Sequence, residues 1–135
     1  MRLNHDCVRD VMLFIEEKQE LGMALHLPDF LNQKKPAKSR LDKYDAETIK
    51  YTLMKLDETN YLNDHCVITQ YQLIEFDVTS ITWNGHKFLD TIRDPKIWKT
   101  TKTVASHLES VSISLISNIA STVLESYIHR FIPKV

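Results

Sequence analysis

Only two glycines and four prolines punctuate the 135 residues. So few breaks, with no low-complexity stretch and no internal repeat, exclude a disordered chain and a solenoid and make helix the expected majority. Cysteine is equally scarce. Cys7 and Cys66 are too far apart for a disulfide scaffold and neither belongs to a Cys-x-x-Cys pair, so both are expected to be reduced thiols. No apolar run reaches the roughly 20 residues of a transmembrane span, so no membrane is expected. The opening "MRLNHDCVRD" places charges where a signal peptide carries its apolar core, which points to the cytoplasm. There is no Gly-rich phosphate loop, no Gly-x-Ser-x-Gly elbow and no pair of catalytic carboxylates. An enzyme is therefore not expected: no catalytic residues, no cofactor and no small-molecule substrate are evident.

The net charge is only −1, but its distribution is uneven. Residues 28–60 carry seven Lys and Arg against six acids, and residues 84–135 carry seven against four. Residues 61–83 carry none against three. The cations concentrate in the loop "QKKPAKSRLDK" and in the helix that begins near Pro95. With 43% hydrophobic residues, 135 residues suit one compact core.

Periodicity places the elements. Asn4 is a good N-cap for a helix from about His5 to Glu20, with Val8, Val11, Met12 and Ile15 on one face and Gly22 just beyond its end. "MALHLPDFLNQKKPAKSR" has weak periodicity, consistent with a short strand or turn followed by a short helix around Asp29 to Gln33. Asp45 caps a clearer helix, whose apolar face is Ile49, Leu53 and Leu56. "CVITQYQLIEFDVTSITW" predicts two strands reversing near Gln70 to Leu73, with residues 66–69 opposite 76–82 and Ile74, Phe76 and Val78 alternating inward. Within "TSITWNG" the period changes, and Thr82 is placed to cap a helix carrying Phe88, Leu89 and Ile92, with Trp83 and Trp98 closing the core around it. Asp94-Pro95 starts another helix. "SVSISLISNIASTVLESYIHRF" then gives a long, broadly apolar terminal helix.

The predicted class is mainly α with a small antiparallel β hairpin: a winged helix-turn-helix-like domain over residues 1–94 and a C-terminal helical extension over 95–135. The segments "LNHDCVRDVMLFIEE", "YDAETIKYTLMKLDETNYL" and "ITWNGHKFLDTIRDPKIWKTTK" together resemble the bacterial and phage family known as domain of unknown function 2513. The resemblance covers nearly the whole chain. It implies a small winged-helix-like protein, often prophage-borne, and supplies no activity and no functional residues.

Two functions are expected from the residues. As a transcriptional regulator, the chain would hold duplex DNA through Lys34, Lys35, Lys38, Arg40 and Lys43 in the loop and Lys50, Tyr51 and Lys55 on the following helix. As a phage accessory or anti-defence factor, it would keep the fold and bind a host protein. The acids that bracket the helix, Asp45, Glu47, Asp57 and Glu58, and the acidic strand pair weigh toward the second. The terminal helix has a wider apolar arc than one domain covers, which predicts a homodimer through Ile116, Ile119, Val123, Leu124 and Tyr127, with Ser117 and Ser121 allowing close approach. The six histidines and two cysteines lack the paired short spacings of a zinc site, so no metal is expected. Cys7, beside Val8 and Val11, reads as a buried thiol rather than a nucleophile.

Overall fold

Asn4 Oδ1 accepts a hydrogen bond from the Cys7 amide at 3.0 Å and so starts the first helix, α1, His5–Lys18. In this computed structural model, residues 1–31 and 38–133 are described. They form six helices and a three-stranded antiparallel sheet, a mixed α/β chain. The chain divides into two compact units, Met1–His86 and Lys87–Val135.

In the first unit α1 buries Cys7, Val8, Val11, Met12 and Ile15 and ends slightly earlier than its periodicity predicts, at Lys18. Gly22 then takes φ +82°, a left-handed turn that costs glycine little. β1 (Leu25–His26) and α2 (Leu27–Leu31) occupy the weakly periodic segment. The expected helix near Asp29 to Gln33 therefore starts earlier, and its predicted end at Gln33 lies outside the described residues. Phe30 of α2 is fully buried, its ring 5.3 Å from that of Phe14 and 5.8 Å, edge-on, from that of Phe76. This aromatic trio ties two helices to the sheet.

α3 (Ala46–Asp57) starts where predicted, with Asp45 Oδ1 accepting from the Thr48 amide at 2.8 Å. β2 (Leu62–Thr69) and β3 (Gln72–Ile81) form the hairpin, and β1 adds to the free edge of β3 to give the order β1-β3-β2. Two features correct the sequence expectation. The predicted hairpin forms, but the sheet extends beyond it, because Leu25 and His26 pair with Val78 and Asp77 as a third strand. The register also differs: Cys66 faces Phe76, but residues 62–65 take the partners between 77 and 81, and residues 67–69 pair with 75, 73 and 72.

The register shifts twice, between Asn63 and Asp64 and between Val67 and Ile68. At each shift β3 contributes one extra residue, Thr79 in the first case and Ile74 in the second, as in a β-bulge. An extra residue inverts the alternation beyond it. Leu73 therefore enters the core, while Ile74, expected inside, is 56% exposed.

At the end of β3, Thr82 connects strand to helix. Its amide donates to the Tyr61 carbonyl at 2.9 Å and its hydroxyl donates to the Asn60 carbonyl at 2.6 Å. The same hydroxyl accepts from the Gly85 amide at 3.0 Å, capping α4 (Trp83–Ile92) as predicted. Phe88, Leu89 and Ile92 are buried, but Trp83 is 81% exposed, so of the two tryptophans only Trp98 joins a core.

In the second unit α5 (Pro95–Ala105) is capped by Asp94, whose Oδ1 accepts from the Lys96 and Ile97 amides. Ser112 caps α6 (Ile113–His129). The two helices pack on each other, with Ile97, Trp98 and Thr101 of α5 and Ile116 and Ala120 of α6 buried. No helix among the described residues is long and apolar enough to cross a membrane.

Candidate functional site

A single carboxylate decides what most of the basic loop does. Asp10 lies on the buried face of α1, between Cys7 and Phe14, and is 4% exposed. Its Oδ2 accepts from the Tyr44 hydroxyl at 2.5 Å and meets Lys43 Nζ at 3.1 Å, while its Oδ1 meets Arg40 Nη1 at 3.3 Å. Arg40 Nη2 also reaches Glu17 Oε1 at 2.5 Å. Burial, together with the Asp10 charge, pushes the Tyr44 hydroxyl well above the usual phenol range. The hydrogen bond to Glu17, with its charge and that of Asp10, holds Arg40 still more firmly protonated. These side chains clamp the approach to α3 onto α1.

Among the residues predicted to touch DNA, Arg40 and Lys43 are thus committed to carboxylates of their own chain. On α3, Lys55 Nζ lies 2.8 Å from Glu58 Oε2 and 5.5 Å from the centre of the Tyr51 ring. Lys50 and Tyr51 are half-buried, and Lys38 is exposed. Lys34 and Lys35 lie outside the described residues. Helix α3 therefore brings Lys50, Tyr51 and Lys55 onto one element, but its outward side mixes these cations with Glu47 and Glu58.

The hairpin has a different character. A row crosses its three strands, with His26 and His65 both opposite Asp77 in the register. His26 Nδ1 is 2.5 Å from Asp77 Oδ1, and that hydrogen bond raises the histidine and lowers the carboxyl. Further along β2, Asp64 Oδ2 is buried and receives no donor. Burial and the neighbouring Asp57 carboxyl push Asp64 up to about 7. A protonated Asp64 can donate to Asp57, whereas two charged carboxylates would repel. Burial, and then Asp57 and Asp64, push the Cys66 thiol up to about 11, so it is no thiolate near neutrality.

At the tip, Gln70 and Tyr71 have φ of 52° and 65°. A two-residue hairpin loop with both central residues left-handed is normally made by Asn-Gly or Gly-Gly, and each non-glycine residue there costs about 1–2 kcal/mol. The turn holds the Tyr71 side chain 99% exposed, with Ile68 and Ile74 also open to solvent. Sequence patterning missed this apolar tip because the bulge at Ile74 is set by cross-strand register.

Of the residues predicted to associate two chains, Ile116 is buried within its own chain, and Ile119, Val123, Leu124 and Tyr127 are half-buried. Ile128, Phe131 and Ile132 are 46%, 69% and 54% exposed. Asp10 is the organising group that the charge count along the sequence does not reveal. Its signal was a carboxylate standing on the apolar stripe of α1.

The chain belongs to the family described as hypothetical protein (DUF2513), whose sequence profile matches residues 2–112. It is similar to an uncharacterized protein of Haemophilus influenzae, 28% identical over 127 residues that span 92% of this chain and 96% of the relative. No solved structure matches it.

Proposed function

With membership of the DUF2513 family as the premise, we propose that the first unit is a winged-helix module that binds a protein rather than duplex DNA, and that the chain acts without catalysis. The order α1, β1, α2, α3, β2, β3 and the sheet order β1-β3-β2 support the winged-helix reading, with α3 in the recognition position and the β2–β3 hairpin as the wing. Fold alone does not choose the partner.

The observation that carries the choice is the wing itself. Between residues 61 and 83 it has no Lys or Arg, and its strained tip displays Tyr71 between two exposed isoleucines. Strain kept at a solvent-facing tip is a mark of a contact site. Phosphate contacts need cations, and Arg40, Lys43 and Lys55 already face carboxylates of their own chain. An apolar tip on a strand pair without cations, with Glu75 next to Ile74, suits a partner protein with an apolar surface rimmed by Lys or Arg. In a prophage setting that partner is a host protein. The competing regulator reading rests on Lys34, Lys35, Lys38 and Lys50.

Fluorescence anisotropy with a random labelled duplex separates the two. The module is expected to show no saturable binding even at low salt, and host-lysate capture is expected to retain one protein that Tyr71→Ser with Ile74→Ser releases. Tight binding to the duplex that weakens steeply as salt rises would overturn the protein-binding reading.

A further inference from the structure

The second unit contains a groove lined by residues of α5, of α6 and by the residue that caps α6. It has a volume of about 310 Å³, at the small end of ligand sites, and lies between the first turns of α5 and the last turns of α6. Because the chain reverses between the two helices, Lys96, one residue into α5, and Arg130, just past the end of α6, both belong to the same mouth.

The wall chemistry is specific. Ile97, buried, and Val123 supply an apolar floor, while Thr100, Ser126 and Tyr127 present hydroxyls. The Thr122 hydroxyl is already donated to the Asn118 carbonyl at 3.1 Å, so it remains only an acceptor. Arg130 lies 5.9 Å from the centre of the Tyr127 ring, which positions its guanidinium over the groove's aromatic wall. Neither Lys96 nor Arg130 has a carboxylate partner among the described residues. Of the acids close in sequence, Asp94 spends its Oδ1 on the amides of Lys96 and Ile97, and Glu125 does not line the groove. Those amides are therefore occupied, and the site rests on side chains.

We propose that this groove binds a small organic phosphate monoester, with the phosphate between Lys96 and Arg130 and a hydroxylated body along Thr100, Ser126 and Tyr127. Two cations at one mouth call for a group that carries close to two negative charges. A phosphate monoester carries about −1.5 to −2 at neutral pH, whereas a monocarboxylate leaves one cation unmatched. The planar guanidinium offers two parallel donors to phosphate oxygens and Lys96 supplies a mobile point charge. Hydroxyl walls over an apolar floor suit a sugar or nucleoside body, which has polar edges and apolar faces. Inorganic phosphate would fill the mouth and leave the floor wet.

The test is an amide NMR titration of the isotopically labelled full chain with glucose 6-phosphate and adenosine 5′-monophosphate. Glucose, adenosine and inorganic phosphate are the controls. At least one ester is expected to shift the Thr100, Ser126 and Tyr127 amides saturably at millimolar concentration. Its unphosphorylated parent is expected to leave them unmoved, and inorganic phosphate is expected to bind more weakly. Lys96→Ala and Arg130→Ala should each weaken the ester about tenfold or more, the fold-change for losing one charge-assisted hydrogen bond. Both side chains are exposed, so an unchanged amide spectrum away from the groove verifies that the variants fold. Three results would overturn the proposal: no saturable groove shift with either ester, ester binding indifferent to both substitutions, or inorganic phosphate binding as tightly as the esters.

Discussion

Gly85→Ala is the substitution whose sign the structure fixes against ordinary helix propensity. Gly85 lies in the first turn of α4, and in an exposed helix Ala is favoured over Gly by about 1 kcal/mol. At this position, however, an added Cβ would fall well inside the van der Waals contact distance of the Tyr61 carbonyl oxygen and 2.6 Å from Ile81 Cγ2. The carbonyl is backbone and already holds the Thr82 amide, while Thr82 also reaches the Asn60 carbonyl and caps Gly85. Relieving the overlap requires α4 to move off the 60–61 segment, which loosens three hydrogen bonds at about 1 kcal/mol each. Set against the propensity gain, the net destabilisation is about 2 kcal/mol. Urea denaturation followed by far-UV circular dichroism measures it. A variant as stable as the parent or more so would refute the close approach of α4 to Tyr61.

The Asp10 hub predicts a graded loss. Asp10→Asn keeps an acceptor for Tyr44 and loses two partly exposed ion pairs, about 1 kcal/mol in all. Asp10→Ala also strands the Tyr44 hydroxyl and should lose about 2–4 kcal/mol, so equal losses in denaturation would dismiss the hub. Asp64 binds a proton in the folded chain up to about 7 and in the unfolded chain only to the ordinary 3.8, so its contribution to stability falls as pH rises between those values. His26, raised by Asp77, adds stability at low pH that is lost as pH climbs through its folded pKa, so the Asp64 effect is read as a difference. Asp64→Asn should flatten the decline and be more stable than the parent above pH 7; parallel pH profiles would contradict the shared proton. On α6, Leu124 and Ile128 lie on the opposite flank of the buried Ile116–Ala120 line from the groove. Light scattering is expected to show a homodimer that Leu124→Glu dissociates, since a buried unpaired carboxylate is costly, and a parent chain that is already monomeric would end that expectation.

Local chemistry was legible because it is local. The caps at Asn4, Asp45, Thr82 and Asp94 each act within three residues, and the change of period across "TSITWNG" marks a junction that the chain makes in place. Ile74 was misplaced because its exposure depends on a bulge, and a bulge is a relation between two strands. Trp83 shows the same limit at a helix start, where an aromatic next to a strand can turn either way and only the tertiary arrangement decides.

Charge was harder to read than hydrophobicity, and the reason is distance along the chain. Arg40 finds its partners 30 and 23 residues earlier, in Asp10 and Glu17, so the loop that composition shows as basic is, at Arg40 and Lys43, locally neutralised. Counting cations overstates what the loop can offer a phosphate backbone. The same counting does not reveal that one cation of α5 and one just past α6 line a single groove, neither with a carboxylate partner among the described residues. A cation is available to a ligand only when the fold has not already given it an anion. By that criterion Lys96 and Arg130 of the second unit remain available, and the phosphate site we propose rests on them.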